Sequence, residues 1–462
     1  MRPSPEPRRI SPRDMIRSGL CVGCGACVSM EPAAHMRWDK DGFLKPDGPP
    51  GWDSRRDETL AQNCPFSPRA ADETEIARSR FPAARHDDEK IGRFMAAWVG
   101  HVAEAPFREQ GSSGGMVSWV AAELLRTGAV DGVAHVAAED PASGHFFRYC
   151  ISRSPDEVGR GAKSRYYPVE LSSVLRAIRA VPGRYAIVGV PCFIKAIHLL
   201  RRSDELIRDR VTHTLGLFCG HMKSAHMIES FAWQLGAEMR RVRSLDYRRK
   251  DPYRPANWYR TQLELVDGRS AAGDWWNLAD GDWGAGFFQN PACDFCDDVV
   301  AETADIAFGD AWVEPYSSDG RGTNVVVARS SEMARLIERG IAERTLSLSP
   351  VDAGFVERTQ AAGLRHRRDG LAYRLTWGRR GIRPRKRVLP RAELPLRRKL
   401  VYRMRAAIAR WSHLMFRFAR SARLHRLYLL WARSVLHLYQ ALTWSRGRMG
   451  SLLDRALPPP ER

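Results

Sequence analysis

Residues 184–193 read RYAIVGVPCF. The run from Tyr185 to Val190 carries no charge and stops at Pro191, which marks a short buried strand. The stretch from Phe193 to Arg202 behind it has helical periodicity. The same couple recurs downstream, with Val211 to Phe218 reading as a strand and Ala225 to Leu235 as a helix. Upstream, Val117 to Arg126 reads as a helix and Asp131 to Val136 as a strand. Further on, Trp258 to Val266 alternates like an edge strand, and Ala304 to Phe308 and Asn324 to Ala328 are strands. Ser331 to Ala342 is a helix. Strands alternating with helices predict an α/β domain with a mixed, largely parallel sheet. This body spans residues 96–362.

The flanks read differently. Residues 1–14 are polar and Pro-rich and read as a flexible lead with no signal peptide. Residues 15–68 form a Cys- and Gly-rich segment with little periodicity, a small ferredoxin-like unit held by metal more than by core. Residues 69–95 are charged and polar and read as a linker. Residues 378–462 form a basic tail, helical and amphipathic from about Leu396 to Trp444. Leu400, Met404, Ile408, Trp411, Met415, Phe418 and Ala422 recur there at spacings of three and four, and Leu427, Trp431, Val435, Leu438 and Leu442 continue the face.

The chain has 462 residues and a formal net charge of +20. From Gly378 onward 22 Lys and Arg stand against 3 Asp and Glu, so the tail carries +19 and the rest only +1. A body without basic excess is not built to bind nucleic acid, and no reading motif is present. The hydrophobic fraction of 44% excludes wholesale disorder and fibrous repeats. No stretch of about 20 residues lacks charge, so no spanning helix is expected. The expected location is cytoplasmic, at most peripheral on the inner membrane face.

Nine cysteines in a reducing compartment predict metal or redox chemistry rather than disulfides. Cys21, Cys24 and Cys27 stand in CVGCGAC, a C-x2-C-x2-C run, and Cys64 is followed by Pro65. This matches the parts of a bacterial ferredoxin signature with a longer gap before the last ligand. Thiolates suit iron–sulfur clusters or zinc; three cysteines at two-residue gaps favour iron–sulfur, and a structural zinc site with four cysteine ligands is the alternative. Cys192 and Cys219 follow strands, where function gathers in an open α/β sheet. Cys293 and Cys296 form CDFC. These four make a second set, and Cys150 is left over as a core or surface residue without a role.

Gly111-Ser112-Ser113-Gly114-Gly115 precedes an apolar helix, a start that exposes backbone N–H groups to a phosphate. Gly161-Ala162-Lys163-Ser164 offers a cation and a hydroxyl in a loop. No G-x-G-x-x-G follows a strand, so the standard dinucleotide fingerprint is missing.

Taken in order, CVGCGAC, QGSSGGMVSWVAAELLRTGAVDGV, GAKSRYY, GVPCF, GLFCGH, Tyr247–Lys250, CDFC, ADIAFGDAW and GTNVVVARS resemble the beta subunits of coenzyme F-420 hydrogenase and dehydrogenase. That group includes 7-hydroxymethyl chlorophyll a reductase and related vinyl reductases. The resemblance covers roughly residues 15–345. It implies an FAD and iron–sulfur oxidoreductase. Ser112, Ser113, Gly114, Gly115, Lys163 and Ser164 would hold FAD. Cys192, Cys219, Cys293 and Cys296 would ligate one 4Fe-4S cluster near the flavin, and Cys21, Cys24, Cys27 and Cys64 a second, ferredoxin-type cluster.

Clusters pass single electrons, whereas flavin can hand on two as a hydride. Electrons would move between a ferredoxin-like carrier and a small organic acceptor or the deazaflavin coenzyme F-420. A proton donor beside the flavin is needed, and Lys250, His221 and Asp310 are the candidates. The tail could meet an anionic membrane surface or an acidic partner. Two other classes fit the same residues: a zinc-stabilised binding protein, and an electron-transfer subunit that needs a catalytic partner.

Overall fold

The computed structural model describes residues 9–379 and 381–457. The start of the expected lead, Arg380 and the last five residues of the tail lie outside it. An eight-stranded mixed sheet organises the body. Its strands in chain order are β1 (Ala96–Val102), β2 (Gly132–Ala138), β3 (Phe147–Ser152), β4 (Tyr185–Gly189), β5 (Val211–Leu217), β6 (Ile306–Asp310), β7 (Asn324–Ala328) and β8 (Leu346–Val351). The spatial order is β8-β1-β7-β6-β5-β4-β2-β3. The central strands β6, β5, β4 and β2 run parallel. Antiparallel pairs complete both sides. The expected mixed α/β architecture is therefore present, with its parallel part at the centre.

Strand β4 is buried along its whole length, as its uncharged run requires. Helix α2 (Pro191–Ser203) crosses from β4 to β5. It opens on Pro191, whose missing N–H costs nothing in the first turn. Its first ten residues are all buried. On the other side of the sheet, helix α1 (Met116–Arg126) buries Met116, Trp119, Val120 and Leu124.

Four expectations change. The segment Trp258–Val266 does not edge the main sheet. Arg260–Leu265 is the middle strand of a separate three-stranded antiparallel sheet. Alternation reports one-sided burial, which Thr261, Leu263 and Leu265 show, and says nothing of position in a sheet.

The stretch 69–95 is ordered. It holds a helix, Glu73–Arg80, with a reciprocal Asp72/Glu75 capping box, and a hairpin of His86–Asp88 with Gly92–Phe94. Within the lead, Ile10 is fully buried and Ser11 caps a short helix, Pro12–Arg17.

The tail is a packed helical hairpin of α3 (Leu396–Ala422) and α4 (His425–Trp444). The chain turns between them at Arg423, which is left-handed at φ 57°. The single apolar face read from the sequence is split. Ile408 is buried, whereas Trp411 and Phe418 are 52% and 55% exposed. Both helices carry apolar residues on two sides, so period counting selects no face. The face that packs on the body includes Val401, Ile408, Phe416 and Ala419 of α3, with Tyr428, Ala432 and Leu442 of α4, against Phe287 and Phe288. The ring of Phe416 stacks on Trp233 at 4.3 Å between centroids.

Buried charges lock the flanks to the body. Lys195 of α2 pairs with Glu73 at 3.1 Å, both almost fully buried. Lys386 reaches Asp297 at 3.2 Å, and Arg387 reaches Glu302 at 2.6 Å. A buried charge is tolerable only when paired, so residues 73 and 386–387 are structural parts of the body. The tail's positive charge is partly neutralised inside the fold.

Candidate functional site

A cavity of about 930 Å³ opens at the carboxyl ends of β4, β5 and β6, where Gly189, Phe218, Cys219 and Asp310 face it. This is the usual ligand position in an α/β sheet. Ser112, Ser113, Gly115, Lys163 and Ser164 all line it. The two loops that carry them touch: the Ser164 backbone N–H donates to Ser112 Oγ at 2.8 Å. Gly115 caps α1 at φ 85°, where an added Cβ would meet Phe107 backbone atoms at 2.6 Å. Only glycine fits there. Gly114 is not on the wall. Its carbonyl accepts from Val102 N–H at 2.9 Å, and a Cβ would meet Asn324 Oδ1 at 2.9 Å, so it packs the loop against β7. Asn324 Oδ1 also accepts from Met116 N–H at 3.2 Å. Lys163 sits at φ 106° and pairs with Asp246 at 3.1 Å.

The three proton-donor candidates separate. Lys250 is not on the cavity wall. Its ammonium donates to the carbonyls of Arg108 and Ser113, the latter at 2.7 Å, and so braces the glycine loop from behind. Burial, then the charges of Lys163, Arg108 and Arg248, push its pKa down to about 7. Asp310 faces the cavity but is paired with Arg248 at 2.9 Å. His221 also faces it, stacked on Trp283 at 4.3 Å. Burial, then Lys223, Arg405 and Arg367, hold His221 well below the usual imidazole range, so the ring is neutral. Its Nδ1 lies 3.5 Å from Arg405 Nη2. A guanidinium can only donate, which assigns the ring proton to Nε2. That nitrogen has no partner among the described residues.

Sequence reading passed over Arg248 and an aromatic group on the wall. Arg248 lies 4.1 Å above the Tyr259 ring. Tyr166 meets Trp283 at 4.9 Å, and Tyr259 meets Trp275 at 5.4 Å. Arg248 stands in the Tyr247–Lys250 stretch, where only Lys250 drew notice. The aromatics come from distant segments, so no local pattern groups them.

Of the two expected sets of cysteines, the first lines a single cavity. Cys21, Cys24, Cys27 and Cys64 line one small cavity of about 40 Å³. Gly23 and Gly25 have φ of 81° and 77°, and a Cβ on Gly25 would strike Glu170 Oε2 at 2.3 Å. The glycines let the loop close over that space. In the second set, burial and then the charges of Cys296, Cys219, Cys293 and Cys24 raise the Cys192 thiol well above its ordinary value. Cys192 and Cys296 lie in one buried core cluster with Cys24, and Cys21, Cys27 and Cys64 pack against it. Cys192 sits in the first turn of α2, where the helix dipole favours a thiolate. The Met222 N–H donates to Cys293 Sγ at 3.3 Å. Among the described residues no three His, Cys, Asp or Glu side chains are gathered closely enough for a single metal ion. Cys150 stands apart on β3, 3.9 Å from His135.

These residues fit the groups expected of them: glycine-rich loops and aromatic rings for a flavin, and two sets of four thiols for iron–sulfur clusters. The fold and site define a mixed α/β protein with a large cavity at the carboxyl ends of its central strands. The chain belongs to the coenzyme F420 hydrogenase/dehydrogenase beta subunit family, a family of oxidoreductases. The family's N-terminal part matches residues 97–176 and its C-terminal part residues 183–354. The comparison with curated proteins finds no match. Among solved structures, a chain of the F420-reducing [NiFe] hydrogenase complex from Methanosarcina barkeri is similar in fold, with a TM-score of 0.50 and 17% identity. The similarity covers 65% of this chain and 99% of that one.

Proposed function

We propose that the protein is an FAD and iron–sulfur oxidoreductase that carries electrons between a one-electron carrier and an organic or deazaflavin acceptor. The observation that carries this reading is the continuity of the three sites. Cys219 belongs to the second quartet and also lines the large cavity. Cys192 and Cys296 of the same quartet share one buried core cluster with Cys24 of the first. A bound flavin supplies two-electron chemistry, and each cluster supplies single electrons.

The chain's own residues divide the remaining work. Ser112, Ser113, Gly115, Lys163 and Ser164 present the loop edges to the flavin, and Gly114 and Lys250 hold the first loop in place. Trp275, Trp283, Tyr166 and Tyr259 provide ring faces and exclude water. Of the candidate donors, His221 is best placed to face the acceptor, and its neutral ring would donate a hydrogen bond through Nε2–H and polarise the acceptor rather than protonate it. Asp310 orients Arg248, whose cation faces the same space.

Anaerobic purification tests the reading. The expected product is brown, with about eight iron atoms per chain, as two 4Fe-4S clusters require, and one FAD. A colourless protein with stoichiometric zinc overturns it in favour of a zinc-stabilised binding protein. The structurally similar chain is named as part of a complex, which favours a second reading, an electron-transfer subunit. Turnover of an acceptor without added subunits separates the two.

A further inference from the structure

We infer that the outward face of the α3–α4 hairpin seats the protein on an anionic lipid surface. This is independent of the redox reading. The inner face of the hairpin is used up by the body, so the face in question is the opposite one. On α3 it presents Trp411, Leu414 and Phe418; on α4 it presents Leu427, Leu430 and Leu438, all exposed. Of the twenty exposed large apolar side chains among the described residues, ten lie between Leu396 and Trp444, about a tenth of the chain. Such concentration marks an interaction surface.

Charge selects the occupant. From Leu394 to Leu453 the sequence contains no Asp or Glu. Arg410, Arg423, Arg426 and Arg433 are exposed and form no ion pair among the described residues. Cations and apolar residues are interleaved here: Arg410 adjoins Trp411, Arg417 adjoins Phe418, and Arg426 adjoins Leu427. A contact between copies of this face would set these arginines against one another, with no carboxylate in the hairpin to pair them. A helix lying on a bilayer instead sets its apolar side chains among arginines that meet anionic headgroups. No helix among the described residues is long and apolar enough to cross a membrane, so the hairpin lies on the surface.

The test is vesicle flotation of the full chain with phosphatidylcholine alone and with phosphatidylcholine containing phosphatidylglycerol. The expected result is flotation with the anionic vesicles only, lost at high salt. The Trp411→Ser/Phe418→Ser double variant should bind about tenfold more weakly, and Arg410→Gln/Arg433→Gln about fivefold weaker for each charge removed. Tyr253→Ser, at an exposed residue elsewhere, should bind as the parent does. All exchanged residues are exposed, so unchanged thermal melting checks the fold. Three outcomes overturn the proposal: no flotation of the parent chain; equal binding by both hairpin variants; or a dimeric parent that the apolar variant turns monomeric without altering vesicle binding, which would make the face a contact between copies.

Discussion

The Arg367 guanidinium donates to the Cys293 carbonyl at 2.8 Å and to the Cys296 carbonyl at 3.2 Å. It is 1% exposed, and its Nε has no partner among the described residues. Burial would lower its pKa, but the charges of Cys296, Cys293, Cys219 and Cys192 outweigh this and raise it. A fixed cation beside the second quartet favours the reduced, more negative state of a cluster there. At an effective dielectric of about 20, a unit charge about 6 Å away is worth about 3 kcal/mol, on the order of 100 mV. Arg367→Gln should lower the midpoint potential of that cluster by this order, and Arg367→Lys should restore most of it. EPR-monitored redox titration reads both. An unchanged potential in an intact cluster would defeat the argument.

The two quartets should be separable. Cys24→Ser removes a thiol from the 40 Å³ cavity and leaves the second set complete. We expect iron to fall from about eight to about four per chain, with flavin retained. Cys219→Ser should remove the cluster beside the flavin instead and interrupt flavin reduction by an external one-electron donor. Iron assay and stopped-flow reduction distinguish them. Loss of all iron in Cys24→Ser would show that the sets are not independent.

Much of this was legible. The strand at Tyr185–Gly189 and the helix behind it follow from an uncharged run ended by Pro191. The common cavity of Cys21, Cys24, Cys27 and Cys64 follows from their spacing. What escaped depends on contacts distant in sequence. Glu73 lies in a polar stretch that composition reads as linker, and becomes interior only because Lys195 and Arg387 meet it. Arg405 sits on a tail helix, yet it reaches His221, 184 residues away. A basic tail looks solvated until the acids that neutralise it, such as Glu302 and Asp297, are brought alongside.

Gly115→Ala should abolish flavin retention with a modest effect on iron. The position needs φ 85°, and the new Cβ would lie 2.6 Å from Phe107 C and O, so the loop has to move. Flavin fluorescence released on denaturation, per mole of chain, measures the loss. A variant retaining full flavin would place the cofactor elsewhere.

Lys250 makes a pH prediction. Its folded pKa of about 7 lies below the ordinary lysine value. The unfolded chain therefore holds more protons between these values, and stability rises with pH through that window. Below about pH 7 the contribution is lost. Lys223, also near 7, acts in the same sense. Lys250→Met removes one share of the rise, so the melting-temperature gap between parent and variant should differ between pH 6 and pH 9. Parallel melting curves would exclude it.

Phe416 and Phe418 test whether the tail belongs to the core. Phe416 is fully buried, stacked on Trp233 and 5.3 Å from both Phe288 and Tyr428. Phe418, two residues on, points outward at 55% exposure. Deleting a buried phenylalanine costs about 3–5 kcal/mol, whereas an exposed one costs less than about 0.5 kcal/mol. Phe416→Ala should therefore lower the melting temperature of the whole body in one transition, because its ring shares a core with Phe287 and Tyr247. Phe418→Ala should leave it unchanged. A free amphipathic tail would make both substitutions neutral.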